Sequence, residues 1–519
     1  MTVESPLKTI SRIAFAILFI STSQLLNALT YDSRHDPYPV FTSLDPHIFL
    51  QTRERDELKN FPVEWNRREW FAFSISPFGQ NANNGRNLCH KIAELGDLSG
   101  RWGMIGMLMG AKPIDAPPTP TLDAARDYLF PRALFPTNNL NVPAAIDGTE
   151  QFGFFKVPLN YRKRGARFDI YSKISNDFGV NVKIGVADIA QRLSMECIPV
   201  STTSGETTDY SYTGCETVIN DCGFVNMTNE ATLSGEDVTA SICIDSTNAA
   251  DFNYTDTSES SKILDQLDVN NVNAALMCRL QTIADEIHLD IKNFEETGVE
   301  DVRAGLYWRH AFLFNNESTN PCWEEFLLIP FVLVEGSVAS FGKQRNRQKA
   351  FALSFGNDDH EAMGFTGGIN IDFAETIEIG GEAGFTHFFE RRFCNMPIPT
   401  SELQSGIFPY STDVNVSPGN NWHFGAKLSA RHFVGCLSVY AQYFLVNHDP
   451  DCIRLRKPDP AFKPRVLEER SAWRSQLANV GFNYDISQTI SLGLFWQAPL
   501  SQVNCYKSTT ILGSFNAIF

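Results

Sequence analysis

Residues 364–390 read GFTGGINIDFAETIEIGGEAGFTHFFE, and the side chains alternate with a period of two. Phe365, Gly367, Ile369, Ile371 and Phe373 take one side, with Thr366, Gly368, Asn370, Asp372 and Ala374 on the other. After Glu375-Thr376 the alternation resumes: Ile377, Ile379, Gly381, Ala383 and Phe385 against Glu378, Gly380, Glu382, Gly384 and Thr386. Successive side chains of an extended strand point to opposite faces, so this stretch is a hairpin with one apolar and one polar face.

Working outward, the pattern repeats. Phe424, Ala426, Leu428 and Ala430 face away from Lys427, Ser429 and Arg431. A tight turn at Val434-Gly435-Cys436 leads to Leu437, Val439, Ala441, Tyr443 and Leu445. Ala478, Val480, Phe482 and Tyr484 oppose Asn479, Gly481, Asn483 and Asp485, and Ile490, Leu492, Leu494 and Trp496 follow Ser487-Gln488-Thr489. Upstream, Phe168, Ile170 and Ile174 lead into Val180, Val182, Ile184 and Val186. Residues 69–78, 302–314 and 326–340 are further strands, the last too uniformly apolar for its faces to be assigned. With the C-terminal segment the expected number is about twelve.

Short turns near 177, 375, 435 and 488 alternate with long polar connections over 79–165, 190–301, 342–362, 394–420 and 448–472. That asymmetry is expected of a transmembrane β-barrel with short turns on one side and long loops on the other. The connection 315–325 is long for the short side. The polar faces carry Lys183, Arg303, Arg309, Asp372, Glu378, Glu382, Lys427 and Arg431. Lipid offers backbone groups no hydrogen bonds, so strands cross it only as a closed cylinder, apolar outside and polar within. The eight charged residues are therefore the expected lumen lining. The alternative is a β-sandwich, whose solvent face also tolerates charge.

The chain ends Ile511-Leu512-Gly513-Ser514-Phe515-Asn516-Ala517-Ile518-Phe519. A terminal aromatic preceded by Ala517, Phe515, Gly513 and Ile511 at every second position resembles the last strand of Gram-negative outer-membrane barrel proteins, porins among them. The resemblance implies that the barrel-assembly machinery reads this strand, with Phe515 and Phe519 as its signal.

Composition agrees with such a chain. It has 519 residues, a net charge of −17 and 43% hydrophobic residues, so it is neither disordered in character nor basic enough to grip nucleic acid. Forty Phe, 14 Tyr and 8 Trp are many at that hydrophobicity, and rings near strand ends suit membrane-interface girdles. The candidates are Trp70, Trp308, Trp323, Trp422, Trp473, Trp496, Phe393, Phe433 and Phe444. Lys8 and Arg12 precede a short apolar run, so residues 1–28 are expected to be a signal peptide, 29–68 an N-terminal segment and 69–519 the barrel. An uncleaved amphipathic anchor is the competing reading of that start. Export favours disulfides, and Cys197, Cys215, Cys222, Cys243 and Cys278 cluster in one polar stretch.

The two large insertions, 79–165 and 190–301, are expected to be partly helical. One helix is placed over 122–129, capped by Thr121, and an amphipathic one near 273–291 through Leu276, Leu280, Ile283 and Ile287. They form either a plug over the lumen or a loop domain outside it. Asp358-Asp359-His360-Glu361 offers oxygen ligands to a hard cation, though such clusters are usually only solvated.

The fold expected is all-β: a closed antiparallel transmembrane β-barrel of about twelve strands with two large, partly helical insertions. The function expected is passive passage or uptake of small hydrophilic solutes, without catalysis, cofactor or metal. Its partners would be outer-membrane lipid and the assembly machinery, with oligomers open. The alternatives are a surface or adhesive protein anchored by a sealed barrel, and a membrane-embedded hydrolase using a strand His such as His387, His423 or His432.

Overall fold

The computed structural model describes residues 34–35 and most of the chain from Phe71 to Phe519, apart from a few single positions and 104–109, 117–153, 194–283, 315–325, 340–344, 346–348 and 374–376. Twelve strands form one antiparallel sheet that closes on itself. In chain order they are β1 (Phe71–Ala82), β2 (Leu159–Lys173), β3 (Phe178–Leu193) and β4, which is built of Phe294–Val299, Val302–Arg309 and Phe312–Phe314. Then come β5 (Phe326–Val338), β6 (Ala362–Phe373), β7 (Ile377–Phe388) and β8 (Asn421–Val434). The last four are β9 (Leu437–His448), β10 (Trp473–Asp485), β11 (Ile490–Val503) and β12 (Thr509–Ile518).

Each strand pairs with its sequence neighbours, and β12 returns to β1 with Ala72 opposite Ile518 and Gln80 opposite Thr510. The Phe519 N–H donates to the Phe71 carbonyl at 2.8 Å and the Phe71 N–H donates back at 3.3 Å, so the seam is sewn to the last residue. Closure removes the free edge that either membrane or water would penalise.

β4 is interrupted twice. At Glu300-Asp301 the strand bulges, and the Glu300 N–H donates to the Gly185 carbonyl at 2.8 Å. Between Arg309 and Phe312 the ladder lapses opposite Pro330 of β5, which has no N–H to contribute. The interruption lets a proline occupy an interior strand.

Phe71, Phe519 and the joins β2–β3, β6–β7, β8–β9 and β10–β11 lie at one end, here the turn end. The long connections leave from the other, the loop end. There Arg391–Pro397, Ser411–Ser417 and Cys452–Leu455 form a small antiparallel sheet, joined by a short helix, Arg465–Glu469. Phe393, Met396, Ile398, Val414, Val416, Ile453 and Leu467 are buried in one core with Trp102, Phe351 and Phe355.

The expectation of partly helical insertions finds no support among the described residues. Among the described residues of 79–165 there is a single turn of 3-10 helix, Leu95–Asp97, with short strands around it. The helix expected over 122–129 lies outside the described residues, as does most of the one near 273–291, of which only 284–286 are described and helical. The insertions are also shorter than expected, because β2 and β3 extend into them.

Candidate functional site

The wall sorts its side chains in the sense opposite to a soluble barrel. Facing out, and 40–56% exposed, are Ile170, Leu306, Phe365, Ile369, Ile379, Phe424, Leu428, Phe482, Leu494, Trp496, Ile511 and Phe515. Facing in, and buried, are Ser74, Ser76, Lys163, Asp169, Thr366, Asp372, Glu378, Lys427, Asn479, Asn483, Gln497 and Asn516. Water would leave so large an apolar belt uncovered, whereas acyl chains cover it. No helix among the described residues is long and apolar enough to cross a membrane.

Comparison with known proteins gives distant structural likeness and nothing finer. No family model matches the sequence, and no curated protein matches it. Among solved structures it is similar to an outer-membrane channel from Pseudomonas putida F1, at 6% identity and a TM-score of 0.40 over 88% of this chain and all of that one. It is also similar to the translocator domain of the autotransporter NalP from Neisseria meningitidis (8%, TM-score 0.30, 92% and 98% covered). The monoaromatic hydrocarbon channel CymD is similar at 9% and 0.28, over 96% and 99%. The fold itself is a closed antiparallel β-barrel of twelve strands.

The barrel's inner wall brings the eight sequence-derived charged residues into one space, on strands β3 to β8. Glu378 meets two cations from β8: a close Lys427 Nζ contact, and Arg431 at 3.8 Å. Asp372 lies opposite Glu378 in the register, so two carboxylates and two cations share the turn-end half of that wall. Glu382 reaches His423 at 3.8 Å, and the Thr366 hydroxyl is 3.3 Å from His423 Nε2. Across the lumen Lys183 pairs with Glu335 at 3.3 Å, and the Asn181 amide donates to the same carboxylate at 3.0 Å. The Arg309 guanidinium lies 5.7 Å from the Tyr307 ring centroid, and Arg303 is the inward residue beside the β4 bulge.

Several inward residues escaped the sequence reading. Lys163 bonds Glu300 at 2.5 Å, and Arg167 sits 3.6 Å from the same carboxylate. The β4 bulge turns Glu300 inward, and a two-residue period skips such a break. Lys163 itself lies in Leu159–Lys173, where the outer face is too charged for alternation to show.

Two inward glycines show how the long side chains are stowed. A Cβ on Gly384 would lie 2.1 Å from His423 Cε1, so the imidazole rests flat on the bare backbone of β7. Gly481 receives the Tyr440 ring in the same way. Glycine is needed there for close approach rather than for an unusual backbone angle.

Other candidates part from the lumen. Trp422 and Trp496 face outward and Phe433 is exposed, while Trp308 faces outward half-buried near the turn end. Trp473 and Phe444 point into the barrel and Phe393 lies in the loop core, so these three do not form a girdle. Trp70 and Trp323 lie outside the described residues. Cys89, Cys394, Cys436 and Cys452 are free, the Cys505 thiol donates to the Arg34 carbonyl at 3.0 Å, and the five clustered cysteines lie outside the described residues.

Of the acidic run at 358–361, Asp358, Asp359 and His360 form a buried corner and Glu361 is exposed. Asp358 and Asp359 have positive φ, Asp359 pairs with Arg391 at 3.1 Å, and His360 Nδ1 lies 2.9 Å from the Phe389 carbonyl. Among the described residues no group of three His, Cys, Asp or Glu is placed to hold a metal. In the loop sheet, burial raises the pKa of Asp413. The Asn395 N–H and the Arg392 guanidinium, at 3.2 and 3.0 Å, outweigh it and hold the carboxyl below its usual range.

Proposed function

We propose that this barrel is a channel for passive passage of small hydrophilic solutes across the outer membrane. One observation carries the reading: the neighbouring strands β2 to β8 all place charged groups on the inner wall, whereas the inward residues of β9 to β12 and β1 are neutral apart from Asp485 at the turn end of β10. Lys163, Arg167, Lys183, Arg303 and Arg309 make a mainly basic arc, interleaved with Asp169 and Glu300. Glu335, Asp372, Glu378 and Glu382 make an acidic one, bounded by Lys427 and Arg431. A barrel serving only as an anchor gains nothing from this, because well-packed apolar residues of similar volume fill an interior at equal or lower free energy. Charged walls of opposite sign are what select ions and orient dipolar solutes in a pore. On this reading Lys183, Arg303, Arg309, Asp372, Glu378, Glu382, Lys427 and Arg431 line the path, and Phe515 and Phe519 belong to the strand read in assembly.

The test is conductance of the refolded full chain in planar bilayers. Discrete current steps are expected, with a cation preference that falls in Asp372→Asn/Glu382→Gln. Silence at every voltage, together with no solute-driven swelling of proteoliposomes, would refute the channel. A second reading, a sealed barrel anchoring surface loops, is favoured by the buried core that the loop sheet forms over the loop end. That core predicts silence.

A further inference from the structure

We propose that the loop-end mouth carries a preformed socket for the chain's own Arg34-His35, and that this dipeptide is a releasable latch whose seating narrows the solute path. The inhibitory role rests on the channel reading; the seat does not.

The socket is built from the β11–β12 connection and the wall facing it. The Tyr506 N–H donates to the Arg34 carbonyl at 3.1 Å, and the Cys505 thiol donates to the same oxygen at 3.0 Å. The Arg34 guanidinium donates to Asn504 Oδ1 at 3.2 Å. His35 is 3% exposed, with its ring 5.7 Å from Tyr161 and 6.3 Å from Tyr506, edge-on to both. Tyr161 is an inward residue of β2, so the imidazole lies inside the ring of strands rather than on its rim.

The parts of the socket also hold one another. The Tyr161 hydroxyl donates to Gln80 Oε1 at 2.8 Å, and the Gln80 amide donates to the Ser508 hydroxyl at 3.3 Å. The Gln191 amide donates to the Tyr506 hydroxyl, and the Tyr161 and Tyr506 rings meet edge-on at 5.4 Å. The Asn504 amide donates to the Arg470 and Ala472 carbonyls at 2.7 and 2.8 Å. Behind them Gly85 and Arg86 pair with Tyr506 and Cys505, and the Lys507 N–H donates to the Asn84 carbonyl at 2.9 Å. A site whose walls are bonded among themselves keeps its shape when the occupant leaves, as preformed ligand sites do. Each hydrogen bond of the seat shifts an equilibrium by roughly two- to tenfold, a strength that suits a latch able to open and reclose.

Position makes the seat inhibitory. On the β7–β10 side the mouth is covered by the loop sheet, with Phe393, Val414 and Ile453 in its core. On the β1–β3 side the dipeptide lies between Tyr161 and the β11–β12 connection. Withdrawing an imidazole and a guanidinium there widens the way to the mainly basic arc, where the Arg167 and Lys183 side chains are 20% and 14% exposed.

The test uses the full chain refolded into vesicles, and Cys505, 0% exposed against Arg34, is the reporter. A small maleimide is added and each cysteine is read by mass spectrometry, with the exposed Cys89, Cys436 and Cys452 as references. In the parent, Cys505 is expected to label slowly but to completion while the barrel keeps its heat-modifiable folded form. Arg34→Ala/His35→Ala is expected to speed that labelling about tenfold or more, with references and folded form unchanged, and to raise the mean current in planar bilayers. A parent Cys505 that labels only on unfolding overturns the release, and equal rates in parent and variant overturn the seat. Faster labelling with unchanged current overturns the narrowing. Silence of both proteins, with no swelling of proteoliposomes, refutes the channel reading and the inhibitory role with it, while the labelling rates still decide the seat.

Discussion

Leu494 tests which solvent touches the outer face. It lies on β11 between Phe482 of β10 and Gly513 of β12, and is 53% exposed. A tilted strand rises about 2.5 Å per residue along the barrel axis, which puts Leu494 about 10 Å above Ile490 at the turn end. In an apolar band about 25 Å tall that is close to the midplane. Leu500, 54% exposed on the same strand, comes out about 25 Å up, at the far rim. A lipid-facing arginine costs about 2–4 kcal/mol at the midplane and about 0–1 kcal/mol at the interface. Leu494→Arg should therefore lower the folding equilibrium constant by roughly 30- to 900-fold, and Leu500→Arg by no more than about fivefold. The assay is reversible urea unfolding in phosphatidylcholine vesicles followed by tryptophan fluorescence, with midpoints compared at equal slope. Surface substitutions in water usually fall within about 0.5 kcal/mol. If both variants stay within that range, the outer face is wet and the membrane assignment fails.

Three further outcomes follow from the inner wall and the seam. Lys427→Met removes the closer of the two cations at Glu378 and should cost about 3 kcal/mol in the same unfolding assay, with most of it regained in Lys427→Met/Glu378→Gln. A single variant within about 0.5 kcal/mol of the parent would mean that water reaches the pair. Gly384→Val drives a methyl group into His423 and should destabilise by about 1–3 kcal/mol, whereas Gly381→Val, whose Cβ meets nothing closer than 3.8 Å, should change little. Deleting Phe519 removes the 2.8 Å bond to Phe71 and should lower the yield of heat-modifiable folded barrel in cells more than it lowers equilibrium stability. An unchanged yield would remove Phe519 from assembly.

The part of the fold legible in sequence is the part in contact with lipid. Ile369, Ile379, Leu428, Phe482 and Leu494 must be apolar because acyl chains touch them, while their inward neighbours need not be, so a period of two stands out. That contrast disappears in two places. In β5 the inward Leu327, Ile329, Phe331 and Leu333 are apolar as well, because Phe331 and Leu333 pack on Tyr307 and Tyr171 in place of a polar lumen, and both faces read alike. Glu300 was hidden because its bulge breaks the register from which inward residues were counted.

Toward the loop end the pattern reverses, which is why β2 and β3 are longer than their alternation suggests. Leu159 and Tyr161 of β2, and Ile189 and Leu193 of β3, point inward and are buried, while Arg162, Asp188 and Arg192 point outward. Arg162 lies 3.8 Å from Asp188 and 3.5 Å from Glu295, and Arg192 also meets Glu295. A collar of ion pairs belongs in water, so this part of the wall stands clear of the bilayer. There the barrel takes the soluble arrangement, apolar inside and charged outside, and its inner residues join the core of the loop sheet. Phe444 and Val446 of β9 and Leu477 of β10 do the same on the far side. One strand thus obeys two solvents in succession: lipid sets the outward face below, water sets it above, and the residue at which the rule inverts marks the membrane's edge. On β2 that inversion falls between Ile170, 42% exposed to lipid, and Arg162, a span of eight residues within which the outward side chains change from apolar to charged.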